Sequence, residues 1–456
     1  MEFATINPAN GELLRRYPFQ SPASVDEALT RIAAGQRTWR RLDPAERARV
    51  LAPLAQGLRE RQIHWAELMT QEMGKPFREA TAEIEKCAWA CEYYADHGPS
   101  FLADQAVATD ASRSYVTYQP LGVVLAIMPW NFPFWQAIRA AVPALIAGNA
   151  VILKHAPSVP GCALGLAELF ASAGVPDDVF VNLFITVEST AALIGDARVH
   201  AVTLTGSTRA GKAVAAAAGA AVKPCVLELG GSDPYVVLGD ADVEAAVDAC
   251  VTSRLINSGQ SCIAAKRFIV EQPVAEAFTE SVVGRMGAVR VGDPMAETTD
   301  VGPMARRDLR DHLHHQVQSS MDLGARCLLG GRVPDNPGWY YPATVLTDLT
   351  PEMPAWREEL FGPVASIIPV ESEEEALHVA NDTAYGLGAA VFTSDAARGE
   401  RIAREELQAG AAFVNAYTRS DPRLPFGGVK ASGFGRELGE YGIREFTNVK
   451  TIVVEA

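Results

Sequence analysis

Residues 201–212 read AVTLTGSTRAGK. Ala201–Leu204 is an apolar and β-branched run of the length of a buried strand. Gly206 and Ser207 then supply a turn, and the stretch from Ala210 to Ala218 has helix-forming composition. A strand that feeds a helix through a tight turn is half of a βαβ unit. The pattern repeats on both sides. Upstream, Val123–Met128 and Ala150–Leu153 read as strands and Ala163–Ala173 as a helix. Downstream, Val226–Leu229, Tyr235–Leu238 and Arg267–Glu271 read as strands, Val274–Met286 as a helix and Ala411–Asn415 as a late strand. Such alternation specifies an α/β fold with a mostly parallel sheet.

The turn also bears on function. It aims backbone N–H groups and a helix N-terminus at one point, where an anion can bind. It lacks both G-x-G-x-x-G and the Walker Gly-Lys-Ser/Thr, so on its own it fits an ordinary strand-to-helix turn equally well.

The flanks are helical at the N-terminal end. Asp43-Pro44-Ala45-Glu46 carries a cap, a first-turn proline and a capping-box glutamate, which predicts a long helix to about Gly57. A second helix through Trp65–Met73 ends at Gly74-Lys75-Pro76. Ser112–Gln119 alternates as a projecting hairpin would. Thr451–Glu455 reads as a strand in need of a partner, such as another subunit.

Composition narrows the class. The chain has 456 residues, enough for two or three domains, with 48% hydrophobic and 21% charged residues. A net charge of −15 argues against a nucleic-acid partner. The most apolar region, Leu121 to Lys154, is broken by Trp130-Asn131, Gln136, Arg139 and Asn149, so no membrane partner is expected. The start MEFATINPANGELL does not read as a signal peptide. Seven cysteines without a compact framework point to a reduced, cytoplasmic protein.

Of those cysteines, only Cys262 lies in a small polar stretch, NSGQSCIAAKR (257–267). Access, a base and an oxyanion donor are what a nucleophilic thiol needs. No histidine pairs with it by motif, and HLHHQ (312–316) reads as a solvated helix face rather than a metal site. Glu228, in VLELGGSDP at the end of an apolar run, is a carboxylate base or a buried structural ion pair. Asn131, in PWNFPFW (129–135), is an amide donor for an oxyanion or a turn-stabilising residue.

Taken together these stretches resemble the aldehyde dehydrogenase superfamily. PWNFP, the strand end at Lys154, LTGSTRAG, LELGG, GQSC, EELFGPV (358–364) and PFGGVKASGFGRE (425–437) occur in that family's order and approximate spacing. The resemblance implies a Rossmann-type NAD(P)-binding domain (1–101 and 121–229), an α/β catalytic domain (230–440) and β oligomerisation elements (102–120 and 441–456). It implies a homodimer or homotetramer, with the last strand joining the hairpin, usually across subunits. Cys262 is then the nucleophile, Asn131 the oxyanion donor and Glu228 the base that hydrolyses a thioester. Trp130, Lys154, Pro157, Gly206, Ser207, Glu359 and Phe361 take cofactor-binding positions.

Within the family, KHAPSVPGCA (154–163), NSGQSCIAAKRF and SDPRLPFGG (420–428) resemble the bacterial succinate-semialdehyde dehydrogenase group. Arg139 stands where relatives bind the distal carboxylate, with Trp135, Ser261, Ser420 and Arg423 beside it. A second arginine of some relatives is Ile256 here. At Pro157 relatives carry a glutamate that repels a 2′-phosphate or a serine that binds it; proline does neither. Both NAD and NADP are expected, with NAD favoured because no dedicated phosphate donor is visible. The alternatives are another aldehyde such as glutarate semialdehyde, a non-redox cysteine hydrolase, or a structural protein that keeps the fold.

Overall fold

In the computed structural model, which describes residues 1–455, the βα alternation resolves into two large sheets. The first has six strands in the order Gly433–Phe434, Cys225–Glu228, Ala201–Thr205, Val123–Met128, Ala150–His155 and Phe180–Asn182. Five run parallel; the edge strand Gly433–Phe434 is antiparallel and arrives from the far end of the chain. The strand order reverses beside Val123–Met128. In open α/β sheets a ligand crevice forms at such a switch point, outside the C-terminal strand ends. Asn131, Lys154, Gly206 and Glu228 all lie at or just beyond those ends.

The second sheet has seven strands in the order Arg326–Leu329, Thr344–Thr347, Val364–Val370, Ala265–Glu271, Asp233–Val237, Gly388–Phe392 and Ala411–Val414. Only the Arg326–Leu329 pairing is antiparallel. The strands are near-continuous apolar runs because helices cover both faces. The helix Pro133–Ile146 is buried along its whole length against the first sheet. It carries Trp135 and Arg139.

Local signals held where the chemistry is local. Asp43 and Glu46 form the reciprocal capping box. Gly74 ends the helix Gln62–Met73 in the left-handed conformation. The helix expected to run to Gly57 is instead two, Pro44–Leu51 and Pro53–Glu60, because Pro53 has no N–H to continue the ladder.

A third sheet has the order Thr447–Val454, Arg113–Pro120, Gln105–Ala106. The alternating stretch near Ser112 is thus its central strand. The C-terminal strand finds its partner in its own chain, antiparallel from Thr447 opposite Pro120 to Val454 opposite Arg113. It joins the 102–120 segment that the resemblance implied, but within one chain, which corrects the expectation of a partner from another subunit. Its other edge is unpaired in this sheet.

Candidate active site

The backbone before Cys262 leaves ordinary geometry. Asn257, Ser258 and Gly259 have φ of 56°, 54° and 76°, three left-handed residues in a row. Gly259 is obligatory, since a Cβ there would sit 2.3 Å from the Gly362 carbonyl. Left-handed non-glycine residues persist only when their surroundings hold them. Here the Glu79 carboxylate accepts the Asn257 N–H at 2.5 Å. Asn257 Nδ2 donates to the carbonyls of Asn131 (2.7 Å) and Gln260 (3.1 Å). Lys266 Nζ donates to the carbonyls of Ser261 (3.1 Å), Cys262 (2.8 Å) and Ala264 (3.2 Å). The loop carrying the thiol is therefore pinned at both ends.

Cys262 lines a cavity of about 490 Å³ and keeps partial exposure. Burial pushes its thiol up to about 12, while Arg139 and Lys266 pull it back down. Asn131 is buried, and its Nδ2 donates to Gln260 O at 3.0 Å. The amide has two N–H groups, so one remains for an oxyanion.

Glu228 ends the strand Cys225–Glu228 and is buried with neither oxygen hydrogen-bonded. Burial, and then Glu437, hold its carboxyl well above the usual range. An unpartnered buried carboxyl is a costly arrangement that calls for a use. Space for it is kept by Gly427, whose Cβ would lie 2.9 Å from Glu228 Oε1.

Among the residues expected to meet substrate, Trp135, Arg139, Ser261 and Ser420 all line the cavity, as does Ile256. Arg139 is already engaged. Its Nε lies 2.5 Å from Glu437 Oε2 and its Nη2 donates to Thr205 Oγ1 at 3.2 Å. Arg423 is exposed and lies outside the cavity lining. Its guanidinium pairs with Asp421 at 2.6 Å and lies over Trp89.

The residues present fit a dinucleotide. Ser207 caps the helix Thr208–Ala220, leaving the Gly206-Ser207 turn at a helix N-terminus. Glu359 accepts the Gly231 N–H at 3.0 Å and lies 3.7 Å from Lys266 Nζ. A Cβ on Gly230 would come within 2.4 Å of Glu359 Oε2, so the glycine keeps that approach open. Trp130 and Phe361 meet edge to face at 5.8 Å. Lys154 is buried at its strand end and burial lowers its pKa. Pro157 is exposed, and next to it Ser158 Oγ is buried without a hydrogen-bond partner.

The aldehyde dehydrogenase family model matches residues 1–452. The chain belongs to the aldehyde dehydrogenase family. This aldehyde dehydrogenase is 49% identical over 448 residues to the NAD(P)+ succinate semialdehyde dehydrogenase Sad of Escherichia coli (strain K12), covering 98% of this chain and 97% of that one. It is 47% identical over 455 residues to the NADP+ succinate-semialdehyde dehydrogenase 1 of Mycobacterium tuberculosis (strain ATCC 25618 / H37Rv), covering 99% of each. The crystal structure of the succinic semialdehyde dehydrogenase from Streptococcus pyogenes with NADP+ superposes with a TM-score of 0.97 at 38% identity, covering 100% of both chains. NADP stands in the names of these relatives, so the preference for NAD drawn from Pro157 finds no support among them.

Four residues of this aldehyde dehydrogenase site were missed in the sequence: Glu79, Lys86, Lys266 and Glu437. Glu437 closes the quoted GFGRE stretch, and Lys266 follows the cysteine by four positions. Both had a visible signal in their neighbours. Glu79 and Lys86 lie in FREATAEIEKCAW, which reads as an ordinary helix, and nothing local marks them.

Proposed function

We propose that this enzyme oxidises succinate semialdehyde to succinate with NAD(P). The observation that carries the reading is the cavity itself: one space of about 490 Å³ holds Cys262 together with the cationic side chains Lys86 and Arg139. A thiol and positive charge in one pocket suit a small aldehyde with a carboxylate at its other end. The names of the relatives support the same substrate.

In this reading the Cys262 thiol passes its proton to solvent water and its sulfur bonds the aldehyde carbon. The carbonyl π pair moves to oxygen, where Asn131 and the Cys262 N–H stabilise it. When bound, the nicotinamide supplies the acceptor for the hydride that leaves this carbon. The oxyanion pair re-forms the carbonyl, and a thioester remains on Cys262. Glu228 takes a proton from water, the water oxygen bonds the acyl carbon and the thiolate departs. Lys154, Gly206 and Ser207 would hold the adenosine and pyrophosphate portions; Glu359, Trp130 and Phe361 would hold the nicotinamide end.

Both cofactors are accepted, and NADP serves at least as well as NAD. Lys154 is cationic, and Pro157 presents no carboxylate against a 2′-phosphate. The two large sheets suggest the division into a cofactor-binding part (1–101 and 121–229) and a catalytic part (230–440), with 102–120 and the segment from 441 as oligomerisation elements. The active form is a homodimer or homotetramer. All seven cysteines are free, in keeping with a reducing cytoplasm.

The test is kcat/KM for succinate semialdehyde, glutarate semialdehyde and butanal, each with NAD and with NADP. Succinate semialdehyde is expected to lead, with NADPH formed at a rate comparable to NADH. Equal turnover of butanal would refute a carboxylated substrate. Release of product without NAD(P)H would point to a hydrolase.

A further inference from the structure

Resting on that carboxylated substrate, we propose that Lys86 is the side chain that grips the distal carboxylate, with the Ser420 hydroxyl beside it. Three cations line the cavity: Lys86, Arg139 and Arg419. Arg139 is matched by Glu437 at 2.5 Å, so that pair contributes little net charge. Arg419 is exposed, its guanidinium 5.8 Å above the Tyr417 ring, without a hydrogen bond to fix it. Lys86 differs from both. It is half-buried on the helix Phe77–Phe101, and no carboxylate among the described residues pairs with it. The cavity's two carboxylates are engaged elsewhere, Glu79 on the Asn257 N–H and Glu83 on Lys75 and a helix N-terminus.

The ammonium is also positioned. Its Nζ donates to Ser420 Oγ at 2.7 Å and stands 4.4 Å from the Trp135 ring. Trp135 and Ser420 are themselves buried and line the same cavity. An ammonium has three N–H donors and only one is used here. Ser420, accepting from Lys86, keeps its own O–H free to donate. Two donors thus converge where an anion can lie, and a half-buried cation without a counter-charge is costly until one arrives. Burial, then Arg139, lowers the Lys86 pKa to about 8, against the opposing pull of Cys87, Glu83 and Asp421.

The experiment compares wild type, Lys86→Met, Lys86→Arg and Arg419→Ala on succinate semialdehyde and butanal. Lys86→Met should raise KM for succinate semialdehyde by about 10- to 100-fold, the scale of a charge-assisted hydrogen bond. The loss on butanal should be at least about tenfold smaller, and Lys86→Arg should recover most of the loss on succinate semialdehyde. In the wild type, inhibition of butanal oxidation by succinate should weaken as pH rises past about 8. Equal losses on both aldehydes, an unchanged KM, a pH-independent succinate inhibition, or the loss falling on Arg419→Ala instead would each overturn Lys86. A wild type that does not prefer succinate semialdehyde over butanal would remove the substrate reading, and the Lys86 role with it. A preference that survives Lys86→Met removes Lys86 alone.

Discussion

Cys262 and Glu228 share one electrostatic condition: burial disfavours the charged form of each. Burial thus favours the protonated thiol and holds the carboxyl well above its ordinary range. Both act in the deprotonated form in the proposed reaction. Turnover is therefore expected to rise with pH through the neutral range, not to fall. Glu228→Gln keeps the shape of the side chain and removes the base. It should give one burst of NAD(P)H per site and then stall, and the slow step that remains should lose its pH dependence. Rapid-mixing absorbance decides this. A missing burst would mean that Glu228 is needed to deprotonate the thiol instead. At this scale the sequence was most legible where a residue's signal is its own neighbourhood. Cys262 among Gly259, Gln260 and Ser261, or Glu228 before two glycines, stand out without a structure. Where a side chain turns is less legible: Arg423 sits close to Ser420 in sequence while its guanidinium pairs with Asp421.

Single residues are placed by elements, and here the elements are tied together by buried carboxylates. Glu83 Oε1 accepts the N–H groups of Phe134 (3.0 Å) and Trp135 (2.9 Å), the first turn of Pro133–Ile146. Its other oxygen pairs with the fully buried Lys75, which also lies against the Phe132 ring. Glu72 does the same for Pro160–Ser172, accepting from Gly161 (2.8 Å) and Cys162 (3.0 Å). Glu83 thus fixes the start of the helix whose entry carries Asn131 and whose body carries Trp135 and Arg139. Glu83→Ala would leave Lys75 buried and unpaired and two helix N–H groups open. A loss of about 3–5 kcal/mol in unfolding free energy is expected, the scale for breaking a buried ion pair. Glu83→Gln keeps the acceptor and loses only the charge, so it should cost less. Chemical denaturation measures both; equal stability of wild type and Glu83→Ala would refute the anchoring role. None of this was readable from the sequence. The Asp43 capping box was, because donor and acceptor are three residues apart. Glu83 and Glu72 lie about 50 and 90 residues from the helices they cap, and only the tertiary fold brings them there.

For the whole molecule, the parallel architecture was legible because each strand–turn–helix unit carries its own periodicity, and the resemblance also named the 102–120 segment that the last strand joins; that the two pair within one chain was not legible. Thr447–Val454 pairs with Arg113–Pro120 on one side only. Eight residues of edge strand then offer unpaired backbone groups, and the side chains along it include exposed Val449 (62%), Val453 (55%) and Val454 (44%). Natural proteins blunt such edges with proline, charge or a bulge, or else use them for association. The single Lys450 does little against three exposed valines. This edge is where the proposed homodimer or homotetramer is expected to associate. Val449→Lys combined with Val453→Lys places two like charges on the edge. In an assembly where the same surface faces itself, the two lysines of one partner are brought against those of the other, so like charges repel on both sides of the interface. Light scattering coupled to size exclusion should show the wild type as a dimer or larger and the double variant as a monomer of 48.8 kDa. Neither valine belongs to the buried core, so the variant's thermal unfolding should still be cooperative. A wild type that is monomeric at micromolar concentration would refute the association, and a double variant that stays assembled would move the interface elsewhere.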